Sequence, residues 1–153
     1  MITGIVVALP EELSTLTNKI EKGLIGYIDE NILVVCSGVG ADNATASAEM
    51  LVKQGVNSLI SWGCAAALDG AFKPGDLVLA DSYIDAGQLS VDLNNKGWVD
   101  HVLSSLTKQS QLKIHTGKLV ESKNLVASSN EKLRIAKTTG AVVLDMESVA
   151  IAR

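Results

Sequence analysis

Two carboxylates near the end of the chain occupy positions from which they could act on a sugar. Asp145 and Glu147 follow residues 141–144, a short apolar run typical of a buried strand. In open α/β sheets, ligands bind beyond the carboxyl ends of the strands. A carboxylate there can accept hydrogen bonds from both hydroxyls of a sugar diol, or stabilise positive charge on the sugar ring. The alternative is that Asp145 caps the next helix, with Glu147 inside the start of that helix.

A second pair of carboxylates follows the first apolar run. Residues 2–9 are apolar, and Pro10, Glu11 and Glu12 begin a helix, with acids near the positive end of its dipole. Such acids ordinarily form a solvated helical turn. Because they also follow a strand, they are expected at the same sheet edge as Glu147, where two separated carboxylates could divide the roles of base and charge stabiliser.

Residues 38–43 read Gly-Val-Gly-Ala-Asp-Asn and open a predicted helix. They come close to the dinucleotide fingerprint, but Asn43 stands in place of the third glycine and no acidic residue follows about 20 positions on. NAD binding is therefore disfavoured. Two interpretations remain open: the backbone N–H groups of this loop hold an anion, or the loop is a tight turn without a ligand.

Residues 63–67 carry only small side chains, so a ligand could approach the backbone closely. Cys64 would need a histidine partner to act as a nucleophile, and His101 and His115 show no recognisable spacing to it. We interpret Cys64 as a small polar group that lines a site.

Strand and helix signals alternate along the chain, which predicts an α/β fold with a mostly parallel sheet and helices on both sides. Strands are predicted at residues 2–9, 24–28, 32–36, 56–62, 77–80, 119–120 and 141–144. Helices are predicted from Pro10, at 41–54, at 97–106 and, capped by Asn130, at 130–136. Residues 73–76, Lys-Pro-Gly-Asp, are a strong turn signal. The 153 residues show no linker or repeat, which predicts a single domain over 1–153.

The composition excludes several classes of protein. The chain has a net charge of −4 and 3% aromatic residues without a basic stripe, so nucleic acid is not expected as a partner. The sequence has no apolar run of about 18 residues, so no membrane span is predicted. The N-terminus lacks the basic region of a signal peptide, which indicates a cytoplasmic protein. Cys36 and Cys64 lack metal-ligand spacing, so we expect reduced thiols and no metal site.

Four blocks of sequence resemble the superfamily of purine nucleoside phosphorylases and methylthioadenosine/S-adenosylhomocysteine nucleosidases. They are residues 5–12 (IVVALPEE), 37–40 (SGVG), 63–67 (GCAAA) with 74–78 (PGDLV), and 144–148 (LDMES). Any one block is a weak match, but the four in this order span nearly the whole chain. Residues 131–153 look most like the hopanoid-associated branch, which is linked to removing adenine from adenosylhopane.

The resemblance implies a three-layer nucleoside-phosphorylase-like fold and cleavage of the ribosidic C–N bond of an adenosyl nucleoside, by water or by phosphate. The transition state places positive charge on the ribose, so nearby carboxylates help most as that charge develops. No cofactor is implied, and phosphate would be the co-substrate in the phosphorolytic case. The implied partners are a small purine nucleoside and further copies of this chain, because family members assemble as dimers, trimers or hexamers.

The resemblance also implies roles for individual residues. Glu147 would bind the ribose hydroxyls, Met146 would pack against the sugar, and Glu12 would activate the attacking water. The residues that would line the phosphate or water site are Ser37, Gly38, Gly63, Cys64 and Ala65. Leu125 and Val126 match the segment that borders the purine, without the usual aromatic platform.

Two residues depart from the phosphorylase pattern. Ser61 stands where phosphorylases carry an arginine, two residues before the glycine at position 63. Because a phosphate dianion is normally clamped by guanidinium, this departure favours hydrolysis. Cys64 replaces a usual serine, with similar size and weaker hydrogen bonding.

The largest departure is the end of the chain. The family continues to a Ser-Asp pair whose aspartate protonates the leaving purine, whereas this sequence stops at Arg153. We therefore expect a chain that is truncated at the C-terminus or completed by another chain. Loss of general-acid catalysis costs about 10²- to 10⁴-fold in rate. The alternative function is accordingly a catalytically degenerate nucleoside-binding or structural protein.

Overall fold

The chain divides into two units in the computed structural model, which describes residues 1–17, 20, 25–91, 96–109 and 113–153. The first unit comprises Met1–Cys64 and Met146–Arg153, and the second comprises Ala65–Asp145. The elements in chain order are β1 (Thr3–Val7), α1 (Pro10–Ser14), β2 (Ile25–Asp29), β3 (Ile32–Cys36), α2 (Ala41–Lys53), β4 (Ser58–Ser61), β5 (Ala66–Ala67), β6 (Leu77–Ile84), β7 (Ser90–Val91), α3 (Lys96–Gln109), β8 (Ile114–Glu121), α4 (Ser129–Thr139), β9 (Val143–Asp145) and α5 (Ser148–Ala152).

The first unit is built on a four-stranded sheet with the strand order β2-β3-β1-β4. β1 pairs in parallel with both β3 and β4, and β2 pairs antiparallel with β3. Alternate residues of β1 enter different apolar clusters: Val6 packs with α2 and α5, and Val7 packs with Leu13 of α1. Because successive side chains of a strand point to opposite faces, helices cover both faces of this sheet.

Helix α2 begins after Gly40, which has the positive φ of 102° that glycine adopts without steric cost. Its residues Ala44, Ala48 and Leu51 recur at helical spacing and are buried against the sheet together with Ile151 of α5. The small residues in this stripe let the helix lie close to the strands. The N-terminus of α2 is thereby fixed at the carboxyl end of β3.

The second unit has a five-stranded sheet with the strand order β5-β9-β8-β6-β7. The three central strands β6, β8 and β9 run parallel to one another, and the short strands β5 and β7 pair antiparallel at the two edges. The buried cluster of this unit contains Ile84, Val120, Val126, Ala141 and Leu144.

The predicted turn at residues 73–76 connects to β6 in the second unit. Gly75 has a φ of 94°, and Asp76 Oδ2 accepts a hydrogen bond from the Lys73 N–H at 3.1 Å. His115 Nε2, from β8, lies 2.9 Å from the same oxygen, and its ring packs against that of Phe72 with centroids 4.2 Å apart and planes tilted by 36°. The Lys73 N–H, and then His115, hold the pKa of Asp76 below its usual value.

The predicted α/β class is confirmed, and the predicted segments up to residue 62 match helices and strands within a few residues, apart from Leu24, which lies outside the described residues. β8 is much longer than the sequence predicts, because His115, Gly117 and Lys118 interrupt the apolar run that signals a buried strand. The N-cap of α4 is Ser128, not Asn130, which lies inside the helix. Both residue types cap helices well, so only the backbone geometry distinguishes them.

The structure also decides between the two interpretations of Asp145. This residue ends β9, and the N-cap of α5 is Glu147. The interpretation of Asp145 as the cap of the next helix is therefore wrong, and Glu147 lies one position before the helix rather than inside it.

We predict that Gly117→Ala destabilises the protein by about 1–3 kcal/mol, the usual cost of overpacking. A Cβ on Gly117 would lie 2.5 Å from Cγ2 of Val142, a β-branched side chain with restricted rotamers. Gly70→Ala is the matched control, because nothing lies within 4 Å of its added Cβ. Urea unfolding measures the free energy of unfolding of both variants, and equal losses of stability would contradict this prediction. Adding Val142→Ala to Gly117→Ala should cost less than the sum of the single changes.

Candidate active site

The loops that follow three parallel strands of the first unit carry the candidate site. α1 follows β1, residues 37–40 follow β3, and residues 62–64 follow β4. Because these strands are parallel, their carboxyl ends lie at one edge of the sheet, where open α/β sheets bind ligands. Glu12 and Glu147 both belong to this unit.

Glu12 is held by three backbone N–H groups. Its Oε2 accepts hydrogen bonds from the N–H groups of Ala8 and Leu9, both at 3.0 Å, and its Oε1 accepts from the N–H of Cys64 at 2.7 Å. The side chain is only 7% exposed. An ionised carboxylate offers about four acceptor positions, so these bonds leave about one of them for a further donor.

The local sequence explains part of this arrangement. Pro10 is the first helical residue of α1, and Glu12 occupies the third helical position, from which a carboxylate reaches back to the N–H of the N-cap residue Leu9. Glu12 is therefore not part of a solvated helical turn, whereas Glu11 is exposed.

Gly63 lies directly against the Glu12 carboxylate. A Cβ added to Gly63 would lie 2.7 Å from Glu12 Oε1 and 2.8 Å from its Cδ, so any side chain there would displace the carboxylate. Ser61 ends β4, and its Oγ lies 3.1 Å from the Oγ of Ser148 at the start of α5. Ser61, at the position where the resemblance implies an arginine in phosphorylases, therefore contacts a second neutral hydroxyl.

Glu147 is held by one N–H group on each oxygen. Its Oε1 accepts from the Gly40 N–H at 2.7 Å, and its Oε2 accepts from the Met146 N–H at 3.1 Å. Gly40 is the N-cap of α2, so the carboxylate lies at the positive end of the dipole of that helix. The glycine loop thus holds an anion, and that anion is a side chain of the protein itself.

The loop at residues 37–40 is further stabilised by its own polar groups. The Ser37 hydroxyl lies 2.8 Å from the Gly38 carbonyl oxygen and 3.2 Å from that of Val7, and Asn43 Nδ2 donates to the Val39 carbonyl at 2.8 Å. Asn43, at the position of the missing third glycine, therefore stabilises the turn.

Three of the predicted site residues are in the second unit rather than the first. Ala65, Leu125 and Val126 belong to the second unit. Leu125 is 83% exposed, and Val126 is 5% exposed and part of the apolar cluster. Val126 also lines a cavity of about 250 Å³ within that unit, together with Glu121 and Arg134.

The sequence did not show which backbone N–H groups hold each carboxylate. Leu9 had a usable signal, because a glutamate at the third helical position commonly reaches back to the cap. The glycine loop had a signal as a possible anion holder, but nothing local indicated that the partner of Gly40 is Glu147 or that Ser148 meets Ser61, since these partners lie far away in sequence.

Groups of metal ligands and membrane-spanning helices are both absent from the described part of the chain. In it, no three His, Cys, Asp or Glu side chains are grouped so that they could hold a metal ion. None of its helices is both long enough and apolar enough to cross a lipid bilayer. Cys36 is a buried free thiol, and Cys64 is an exposed one.

The chain has the same fold as several solved structures, which include nucleosidases and a futalosine hydrolase. The chain superposes on the 5′-methylthioadenosine/S-adenosylhomocysteine nucleosidase from S. pneumoniae, bound to a transition-state inhibitor, with a TM-score of 0.80 and 23% identity, over 99% of this chain and 78% of that one. The corresponding enzyme from Neisseria meningitidis, in complex with methylthio-immucillin-A, gives 0.78 and 19%, over 99% and 78%. The futalosine hydrolase of Helicobacter pylori gives 0.78 and 19%, over 98% and 76%. At these identities the similarity shows a shared fold.

The family follows from the sequence itself. No curated protein matches the chain significantly. The sequence profile described as the phosphorylase superfamily matches residues 3–153. The superfamily expected from the four blocks is confirmed, while the hopanoid-associated branch stays a prediction. The chain belongs to the phosphorylase superfamily of enzymes.

Proposed function

We propose that this protein hydrolyses the N-glycosidic bond of a purine nucleoside and releases the free base. The observation that carries the proposal is the bonding of Glu147, which accepts one N–H on each carboxylate oxygen. Each oxygen keeps an acceptor position, and a ribose presents two adjacent hydroxyl donors. The nucleosidases of similar fold, from S. pneumoniae and Neisseria meningitidis, support the same class of substrate.

Glu147 would act through both hydrogen bonding and charge. As the bond between the ribose and the purine breaks, its electron pair moves to the base and positive charge develops on the sugar ring. A carboxylate already fixed by the Gly40 and Met146 N–H groups stabilises that charge without having to reorganise. Met146, next in sequence, is the residue that would contact the sugar.

Glu12 would take a proton from the attacking water. The water oxygen bonds to the anomeric carbon, one of its protons stays on the new hydroxyl, and the other passes through Glu12 and ends on the departing base. The acceptor position left on Glu12 is the one a water would use. Cys64 and Gly63 would line this water site, with Ser37 and Gly38 on the neighbouring loop and Ala65 next in the chain.

Water is favoured over phosphate because an internal anion already uses the local donors. The N–H groups of Ala8, Leu9 and Cys64, which could otherwise bind a phosphate, are bonded to Glu12. A phosphate dianion there would meet like charge, and Ser61 offers it no positive charge.

The substrate is proposed to be an adenosyl compound, with Leu125 and Val126 beside its purine. The candidate substrates differ in the group on the 5′ carbon of the ribose. The resemblance of residues 131–153 to the hopanoid-associated branch favours adenosylhopane, whereas the solved relatives are named for methylthioadenosine, S-adenosylhomocysteine and futalosine. We also propose a homo-oligomer that needs no cofactor.

We expect the protein to release adenine from an adenosyl substrate at a rate that does not depend on phosphate. The assay incubates it with adenosine, methylthioadenosine, S-adenosylhomocysteine or adenosylhopane, with and without phosphate, and measures free adenine by chromatography. Release only with phosphate would replace hydrolysis by phosphorolysis. Thermal stabilisation by these nucleosides without any adenine would establish the degenerate, nucleoside-binding alternative.

Glu147→Gln should lower kcat/KM by about 10- to 100-fold, because a charged partner of the ribose hydroxyls is lost. For the wild-type protein, kcat/KM should fall by a similar factor when the substrate is a 2′-deoxynucleoside instead of the ribonucleoside. For the variant, this change of substrate should lower kcat/KM much less. Glu49→Gln, at an exposed position of α2, is the matched control and should leave kcat/KM unchanged. If wild type and variant discriminate equally against the deoxynucleoside, Glu147 does not bind the 2′-hydroxyl.

Glu12→Gln should lower kcat by about 10²- to 10⁴-fold through loss of the general base. The neighbouring exposed Glu11→Gln is the control and should retain full activity. Gly63→Ala should also lower kcat, since its Cβ would displace the Glu12 carboxylate. Melting temperatures separate these effects from unfolding. Full activity in a folded Glu12→Gln variant would remove Glu12 from the mechanism.

A further inference from the structure

Trp62 makes a side-chain hydrogen bond to the end of α1. Its indole Nε1–H donates to Thr15 Oγ1 at 3.0 Å, and the Thr15 hydroxyl in turn donates to the Glu12 carbonyl oxygen at 2.7 Å. The Trp62 backbone N–H also donates to the Val6 carbonyl of β1 at 3.0 Å. The indole is 37% exposed, so burial alone does not explain its position.

These contacts close a ring of hydrogen bonds around Glu12. Trp62 reaches the main chain of Glu12 through Thr15, and Cys64, two residues later, donates its N–H to the Glu12 carboxylate. The short segment 62–64 therefore holds Glu12 at both its backbone and its side chain. Gly63, between the two contacts, leaves the space that the carboxylate occupies.

The length of α1 explains why such support is needed. The helix contains five residues, and an isolated helix this short does not hold itself together. A carboxylate carried on it keeps its position only through contacts with neighbouring segments. A displacement of about 1 Å can cost about 10²-fold in rate when a catalytic group must meet its substrate in one geometry.

We propose that Trp62 and Thr15 are positioning residues that hold the Glu12 carboxylate in place for proton transfer. The inference rests on the proposed role of Glu12 as the base. The hydrogen bond from the indole to the Thr15 hydroxyl is the element that matters, because it ties the loop after β4 to the end of α1.

The hydrogen bond itself can be tested without a substrate. The chain has two tryptophans, so a ¹H–¹⁵N spectrum shows two indole N–H resonances, which Trp62→Phe and Trp98→Phe assign. Thr15→Val, which replaces the hydroxyl with a methyl group of similar size, should move the Trp62 resonance and leave that of Trp98 in place. Thr15→Ser keeps a hydroxyl and should leave the Trp62 resonance close to its wild-type position. An unmoved Trp62 resonance in Thr15→Val overturns the inference.

Kinetics test the positioning role. Trp62→Phe and Thr15→Val should each lower kcat about three- to tenfold with KM unchanged, the effect of losing one hydrogen bond. The double variant should be no slower than the slower single variant, because both changes remove the same contact. Thr15→Ser should restore most of the lost kcat, and Trp98→Phe is the matched control with wild-type kcat.

Two kinetic outcomes would overturn the inference: wild-type kcat in a Thr15→Val variant whose Trp62 resonance has moved, or multiplying losses in the double variant. Thr15→Val gives the same test if Trp62→Phe does not fold. Failure of the wild-type protein to release adenine would instead overturn the proposed function, while the indole resonances still decide whether the ring of hydrogen bonds forms.

Discussion

Backbone N–H groups hold both carboxylates of the candidate site, and much of the surrounding structure follows from this constraint. Glu12 needs the N–H groups of Ala8, Leu9 and Cys64, and Glu147 needs that of Gly40. A buried or partly buried carboxylate without such donors would carry a large desolvation cost. The loops that provide the donors must therefore keep their backbone conformation, whatever else their side chains do.

The sheet of the first unit supplies these loops from one edge. β1, β3 and β4 run parallel, so the segments that follow them start from neighbouring points. Apolar side chains on both faces anchor the strands, with α2 and α5 on one face and α1 on the other. Rigid strands thus carry loops whose small residues allow close contact, as Gly63 does against Glu12.

The same contacts shape the chemistry that the site can support. Each carboxylate has donors enough to be held, and acceptor positions left for a substrate or a water. The charge of Glu12 occupies donors that an external anion would need, and the neutral hydroxyls of Ser61 and Ser148 lie in contact with each other. In the proposed function, an arrangement in which the protein supplies its own anions would suit attack by neutral water better than attack by phosphate.

The sequence by itself determined the features that depend on residues close together in the chain, namely strands, helix starts and turns. Apolar runs located β1, β3 and β9, the proline and glutamate of α1 signalled its start, and the Lys-Pro-Gly-Asp segment formed the predicted turn. Four ordered blocks were enough to indicate the superfamily, since each combines local turn chemistry with a strand end. β8 was underestimated because polar residues and a glycine break its apolar run.

Only the tertiary structure decided which residues meet. Cys64 and Glu12 are 52 positions apart, Trp62 and Thr15 are 47 apart, and Gly40 and Glu147 are 107 apart. No local propensity encodes such contacts, because they arise from the pairing order of the strands and the packing of helices on them. The sequence could therefore place carboxylates at strand ends. Only the fold could show that Glu12 is buried and bonded to three N–H donors, and that Glu147 accepts a hydrogen bond at the N-terminus of α2.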